Sequence, residues 1–258
     1  MHILLTNDDG YQAKGIQSLY SHLKSLGHKV TMVAPKSERS AQSHAMTFYQ
    51  PVQVEQISHD IYAVSGTPAD CVAIGISRVL KDNCPDIIVS GINHGFNVGV
   101  DVNYSGTVGA ATEAALMGHK ALAVSMDNVT PSVELLEENF KNTAKLVGKI
   151  LANIQNMDWP KQQVLNVNVP LNYKSIAVAQ CGGESLYVPH IEEFSSQPRK
   201  ELKVYLIGGI ARYEPKDLSQ DVSLVESGYA TLSFIAARQS STESNKNLEK
   251  ILGFISNG

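Results

Sequence analysis

Through its first 170 residues the chain alternates short β-branched runs with longer stretches of helical periodicity. That alternation constrains the fold more than any other feature. Parallel neighbours in a sheet must be joined by a crossover, and a helix is the usual one, so strands that alternate with helical patterns imply βαβ units and a mainly parallel sheet. Residues His2 to Thr6, Val30 to Ala34, Asp86 to Val89, Lys120 to Ser125 and Val164 to Val169 read as strands. Met46 to Ile57 and Ile61 to Val64 also read as extended. Helices are expected from Gly15 to Leu26, where Ile16, Leu19, Tyr20, Leu23 and Leu26 share one face, from Thr107 to Met117, and from Ser132 to Ile154. Thr67-Pro68-Ala69-Asp70 reads as an N-cap, a proline at the first helical position and a returning acid, starting a helix that runs to Val79 or Leu80.

After Pro170 the texture changes. Ile176 to Ala179, Lys203 to Ile207 and Ala230 to Ile235 are short runs separated by Gly-Gly pairs at 182 and 208, a pattern of hairpins or an arm. Ser185 to Lys200 reads as a mobile loop or a partner-facing segment. The expected organisation is therefore a core at 1–170, with 171–258 forming hairpins and a tail of the same domain and serving as an oligomerisation arm.

Composition narrows the function. With 21 basic and 25 acidic residues the net charge is −4, which builds no dense basic surface of the kind that binding to duplex nucleic acid exploits. Cys71, Cys84 and Cys181 are odd in number and form no CxxC pair, so neither a disulfide framework nor a thiolate metal site is expected, and a reducing cytoplasm fits. Ile3-Leu4-Leu5 is too short for the apolar region of a signal peptide, and no apolar run is long enough for a membrane span.

Chemistry concentrates where the expected strands end. Thr6-Asn7-Asp8-Asp9-Gly10 follows the first strand, at the edge where open parallel sheets hold their ligands. Two adjacent carboxylates repel, so a buried pair is neutralised by a cation or uses one member as a proton carrier; the same residues also suit an ordinary turn. The Pro35 to His44 loop adds serines and charged groups. Ser90 to Gly99 combines Gly91, Gly95 and Gly99, which let a ligand approach the backbone, with Asn93 and Asn97, which offer amide oxygens or donors. Ser105-Gly106-Thr107 opens a helix, where free amides form either an anion site or a plain cap. Together these loops supply carboxylates, hydroxyls, amide oxygens and backbone donors, a set suited to Mg²⁺ or Mn²⁺ bridging to phosphate. His44 and His94 sit in these loops as candidate supporting acid or base groups, whereas His2, His22, His28, His59, His119 and His190 lack ligand spacing and read as surface or capping residues. No GxGxxG follows the first strand, and neither GxxxxGK[ST] nor GxSxG occurs, which removes dinucleotide oxidoreduction, P-loop hydrolysis and serine esterase chemistry.

Five ordered motifs carry a resemblance. Asn7-Asp8-Asp9-Gly10, the Ala-Pro-x-x-x-Arg-Ser loop at 34–40, Gly66-Thr67-Pro68-Ala69-Asp70-Cys71, Ser90-Gly91-Ile92-Asn93-x-Gly95-x-Asn97 and Tyr104-Ser105-Gly106-Thr107-Val108 resemble the survival protein SurE family. The resemblance is strong over residues 1–170 and weaker as far as Gly228-Tyr229. It implies a Rossmann-like α/β fold with a C-terminal arm exchanged in a homodimer or homotetramer. It also implies a metal-dependent hydrolase of nucleoside monophosphates, acting as a 5′-nucleotidase with 3′-nucleotidase and exopolyphosphatase activity across the family. Matched by motif, Asp8, Asp9, Ser40 and Asn93 become the ligands of one divalent cation per subunit, Mg²⁺ or Mn²⁺. On this reading Asp8 orients the nucleophilic water or attacks directly, and Asn97, Ser105, Gly106 and Thr107 hold phosphate, Asn97 with a catalytic role. Lys14, Ala41 and Ser233-Phe234-Ile235 depart from the family's usual residues, and none of them is a proposed ligand. The non-enzymatic alternatives are a phospho-receiver switch, which the absence of a phosphorylatable Asp in Ser90-Gly91-Ile92-Asn93 disfavours, and a nucleotide sensor that binds without turnover.

Overall fold

Every residue of strand β1 (His2–Thr6) is buried, because helices cover both faces of the sheet it centres. Alternate side chains go to opposite sides: Ile3 and Leu5 join a core with Ile16, Leu19, Phe140 and Val147, while Leu4 joins a second core with Cys71, Val72, Val108 and Ala111. Each fully buried Leu or Ile contributes about 1.5–3 kcal/mol of apolar transfer.

The chain is described from a computed structural model that covers residues 1–128, 132–155, 157–183, 185–193, 203–211 and 217–237. After β1 come α1 (Lys14–Ser25), β2 (Lys29–Pro35), β3 (Val54–Ser58), β4 (Ile61–Val64), α2 (Pro68–Ile74), β5 (Ile87–His94), α3 (Gly106–Leu116), β6 (Ala121–Met126), α4 (Val133–Ile154) and β7 (Gln163–Val169). The remainder supplies β8 (Ile176–Val178), β9 (Tyr187–Glu193), β10 (Tyr205–Ala211), α5 (Asp221–Glu226) and β11 (Ala230–Ala236). The main sheet has the order β3-β4-β2-β1-β5-β6-β7-β11-β8. Strands β4, β2, β1, β5, β6 and β7 run parallel. Helices α1 and α4 cover one face, and α2 and α3 the other. The mainly parallel α/β fold is thus as expected from the alternation. From β1 the chain moves outward first to β2 and later to β5 on the opposite side, so the β1/β5 boundary is a topological switch point.

Local signals explain the helix starts. Thr67 and Asp70 form the expected capping box, and the helix continues beyond α2 through a wider turn at Gly75–Val79. Ser105 and Ser132 cap α3 and α4 through their hydroxyls.

Three expectations change. Only Val54–Ser58 of the 46–57 stretch pairs as a strand; the part before it is tied as a loop, with Thr47 N–H donating to Asp70 Oδ1 at 2.9 Å and Thr67 Oγ1 donating to the Ala45 carbonyl at 2.7 Å. Strand β5 extends to His94, with a register shift between Ser90 and Asn93, so half of the Gly-rich segment belongs to the sheet. His2 is neither a surface nor a capping residue: it is 8% exposed and its Nε2 lies 3.1 Å from Thr31 Oγ1.

Beyond Pro170, β9 and β10 form an antiparallel pair, while β11 joins the main sheet antiparallel to β7 and β8 follows parallel to β11. The segment read as a mobile or partner-facing loop is strand β9 in part, and its residues 194–200 lie outside the described residues, as does the tail from 238. No helix among the described residues is long and apolar enough to cross a membrane.

Candidate functional site

A cavity of about 740 Å³ opens at the carboxyl edge of the sheet, at the switch point. Of the eight residues singled out from sequence, Asp8, Asp9, Ser40, Asn93, Asn97 and Ser105 line it. Gly106 and Thr107 stand directly behind Asp8.

Asp8 is 4% exposed and firmly held. The Thr107 hydroxyl donates to its Oδ1, and its own carbonyl accepts from Arg39 N–H at 2.7 Å. A Cβ added at Gly106 would stand 2.9 Å from Asp8 Cβ, so only glycine lets the start of α3 press against this side chain. Thr107, read from sequence as a phosphate ligand, here spends its hydroxyl on orienting Asp8. Asn7 closes the turn by donating to the Gly10 carbonyl at 2.9 Å, while its Oδ1 is buried without a partner. The turn reading and the functional reading of Asn7-Asp8-Asp9-Gly10 therefore describe the same local structure.

Burial pushes the Asp8 carboxyl above its ordinary range. Asp9 is pushed up to about 7, first by burial and then by the charges of Asp8 and Glu38. Neither carboxylate has a Lys, Arg or His within ion-pair distance among the described residues. The Ser40 hydroxyl, on an exposed loop, donates to Glu38 Oε1 at 2.9 Å. Glu38 also lines the cavity, a third acid beside the pair that the motif reading passed over.

From the other side of the switch point, Asn93 donates its Nδ2 to the Gly95 carbonyl at 2.8 Å, which leaves its amide oxygen as the end not held by that bond. Two residues of β7 fix Asn97. Its carbonyl accepts from Asn166 Nδ2 at 2.8 Å and Asn168 Nδ2 at 3.0 Å, its N–H donates to Asn168 Oδ1 at 2.8 Å, and its own Nδ2 donates to Ser125 Oγ at 2.8 Å. This clamp was missed from sequence, although polar residues at alternate positions of an otherwise apolar buried strand, Asn166 and Asn168, were its signal. Gly91 must also be glycine: its φ is +138° and an added Cβ would stand 2.3 Å from the Val124 carbonyl oxygen.

The histidines take lesser parts. His94 lines the cavity with its ring 6.1 Å from that of Phe140, whereas His44 lies outside it and pairs with Glu113 at 2.7 Å. The far wall comes from β9 and β10 through Tyr187, Pro189, Ile207, Gly208 and Gly209.

Residues 3–186 match the family described as survival protein SurE. The chain is 40% identical over 238 residues to the 5′-nucleotidase SurE of Thermoanaerobacter sp. (strain X514), covering 90% of both chains. It is 36% identical to the protein of the same name from Campylobacter jejuni subsp. doylei, covering 97% of both. The crystal structure of the SurE protein from Aquifex aeolicus superposes with a TM-score of 0.82 at 32% identity, over 96% of this chain and 100% of that one.

Proposed function

The chain belongs to the survival protein SurE family, and from that premise we propose that it is a phosphomonoesterase that hydrolyses nucleoside monophosphates to nucleoside and phosphate. The similarity of whole chains to 5′-nucleotidases favours an enzyme over a receiver switch or a sensor without turnover. One observation carries the site assignment: Asp8 and Asp9 are adjacent, largely buried and without a basic partner among the described residues, in a cavity of about 740 Å³ large enough for a small ligand.

The donor set fits a hard divalent cation. Both carboxyls are raised by burial, and Asp9 also by its neighbour, so a cation that favours their ionised forms relieves the strain at its source. Two carboxylates alone do not fill the coordination shell of such an ion. Neutral oxygens complete it on this reading, in which the ligands are Asp8, Asp9, Ser40 and the amide oxygen of Asn93. One such ion, Mg²⁺ or Mn²⁺, supplies charge that polarises the phosphoryl group and acidifies water.

The protein's own groups do the rest. Asp8, oriented by Thr107, directs the nucleophile along one approach. The Asn97 amide, steadied by Asn166, Asn168 and Ser125, the Ser105 hydroxyl and the backbone amides of Gly106 and Thr107 at the start of α3 hold the phosphoryl oxygens. Tyr187, Pro189 and Ile207 of the far wall exclude water from the nucleoside.

Assembly belongs to the same reading. Ile191 and Ile207 on one face of the β9/β10 ribbon and Leu206 on the other are 61%, 73% and 60% exposed, apolar side chains of the kind that a second copy covers, which supports a homodimer or homotetramer built through residues 171–258. A cytoplasmic location accords with the free thiols of Cys71, Cys84 and Cys181.

The deciding experiment is a matrix of nucleoside monophosphates against divalent cations, read as steady-state phosphate release with a chelator control. Turnover that needs added Mg²⁺ or Mn²⁺ and stops in chelator is expected. Absence of phosphate release from every nucleotide with every cation would overturn the enzyme reading, and undiminished turnover after removal of all metal would overturn the cation.

A further inference from the structure

The outer face of α4 carries a row of charge that the hydrolysis leaves unused. Lys141, Lys145 and Lys149 stand four residues apart and are exposed, forming one stripe. The last turn of the helix holds no basic residue, so complementing the helix dipole, which acts within the terminal turn, does not explain them. Ion pairing does not explain them either. Among the described residues neither Lys145 nor Lys149 has a carboxylate within salt-bridge distance, and the nearest oxygen recorded for Lys145 Nζ is Asn142 Oδ1 at 3.4 Å.

Beside this stripe, between α4 and the turn that follows β7, lies a cavity of about 300 Å³ lined by Asn139, Asn142, Lys145, Lys149, Asn172 and Tyr173 together with apolar Leu146 and Pro170. None of its lining residues is acidic, and none lines the cavity of Asp8 and Asp9. Asn139 is 2% exposed, and its Nδ2 is buried with no hydrogen-bond partner. Native proteins seldom leave such a donor unmatched. Asn139 lines the cavity, so an acceptor arriving there can complete it.

We propose that this cavity is a second anion site, separate from the substrate cavity, that takes phosphate, either as the free ion or as the phosphate group of a small ester. Two ammonium groups match a dianion, and the amides and phenol offer donors from several directions to a tetrahedral ring of oxygens. The space of about 300 Å³ is far more than one water needs and admits a phosphate with part of its hydration shell. The site does not depend on the nucleotidase reading.

The test is a titration of isotope-labelled protein with inorganic phosphate in excess chelator, at ionic strength held constant with chloride, followed by amide NMR signals. Saturable shifts are expected at the Asn139 side chain and at Asn142, Lys145, Lys149, Asn172 and Tyr173. The double variant Lys145→Glu/Lys149→Glu should weaken that binding about tenfold or more, while its turnover of nucleotide stays as in the wild type. Parallel titrations with a nucleoside monophosphate and with the bare nucleoside separate free phosphate from an ester, since a response to the ester alone identifies the ester as the ligand. Shifts confined to the Asp8 cavity, shifts reproduced by chloride alone, or an affinity unchanged in the double variant would each overturn the proposal.

Discussion

The floor and the far wall of the substrate cavity are built on opposite plans. On the floor, Asp8, Asn97, Ser105 and Thr107 are 4%, 7%, 7% and 0% exposed, each positioned by strands or a helix whose other faces lie in one of the two cores. The far wall is a two-stranded ribbon whose Ile191, Leu206 and Ile207 are more exposed than buried, and such a ribbon is marginal alone. It is secured at its base, where the Ser185 hydroxyl and Leu186 N–H donate to the Asp101 carboxylate and Leu186 packs with Phe96, Val98, Val222 and Val225. On the proposed mechanism, the group that must meet a reacting atom within fractions of an ångström is carried by the buried sheet. On the same mechanism, the group that has only to cover a nucleoside, or another subunit, is carried by the exposed ribbon.

The sharpest way to break this contrast is at the floor. Asp8→Asn keeps the side chain's shape and removes its charge, and kcat/KM should fall about 10³-fold, near 4 kcal/mol, while the fold is kept or gains stability as carboxylate repulsion is relieved. Unchanged turnover in a folded Asp8→Asn protein would mean that the floor does no chemistry.

A smaller effect concerns the charge stored there. Asp9 is raised in the fold from 3.8 to about 7, so the metal-free fold keeps a proton that the unfolded chain releases. Its contribution to stability is therefore greatest below about pH 4 and is lost as the pH rises toward 7. A cation favours the ionised pair, so the rise in Tm produced by excess Mg²⁺ over chelator should widen from about pH 5 to about pH 8. Calorimetric scans in which that difference stayed constant or narrowed would rule out Asp9 as a ligand.

The smallest effect belongs to the far wall. Ile207→Ser removes an exposed apolar contact and should raise KM a few-fold, near 1 kcal/mol, shift the sedimentation profile toward smaller species, and leave kcat nearly unchanged. A loss of kcat comparable to that of Asp8→Asn would erase the distinction between the two surfaces.

What the sequence revealed follows the same division. Parallel strands buried on both faces announce themselves locally, because each needs its own apolar run and a crossover helix with its own caps, and so β1, β2, β5, β6 and β7 were legible along with the loops at their ends. The places of β8 and β11 were not. Their runs are short, and nothing within Ile176–Val178 or Ala230–Ala236 specifies that one strand pairs antiparallel with β7 and the other parallel with β11. Asp8, Asp9, Ser40, Asn93, Asn97 and Ser105 were found because their motifs are contiguous, whereas Tyr187, Pro189 and Ile207 reach the cavity only through tertiary pairing. The Asn166 and Asn168 contacts escaped for the same reason: they bridge 69 and 71 residues of chain.

Those two asparagines also limit what can be transplanted. The peptide of Asn97 is gripped from a strand two places away across the sheet, past Ser125 on β6, so the Gly-rich segment does not hold its shape by its own sequence. A chimera that grafts Ser90–Gly99 onto another parallel sheet would import the ligands and lose their alignment unless the host strand two places over carried matching amides at the same height. The portable unit is a three-strand slab of β5, β6 and β7, and recombination among relatives should keep those strands from a single parent.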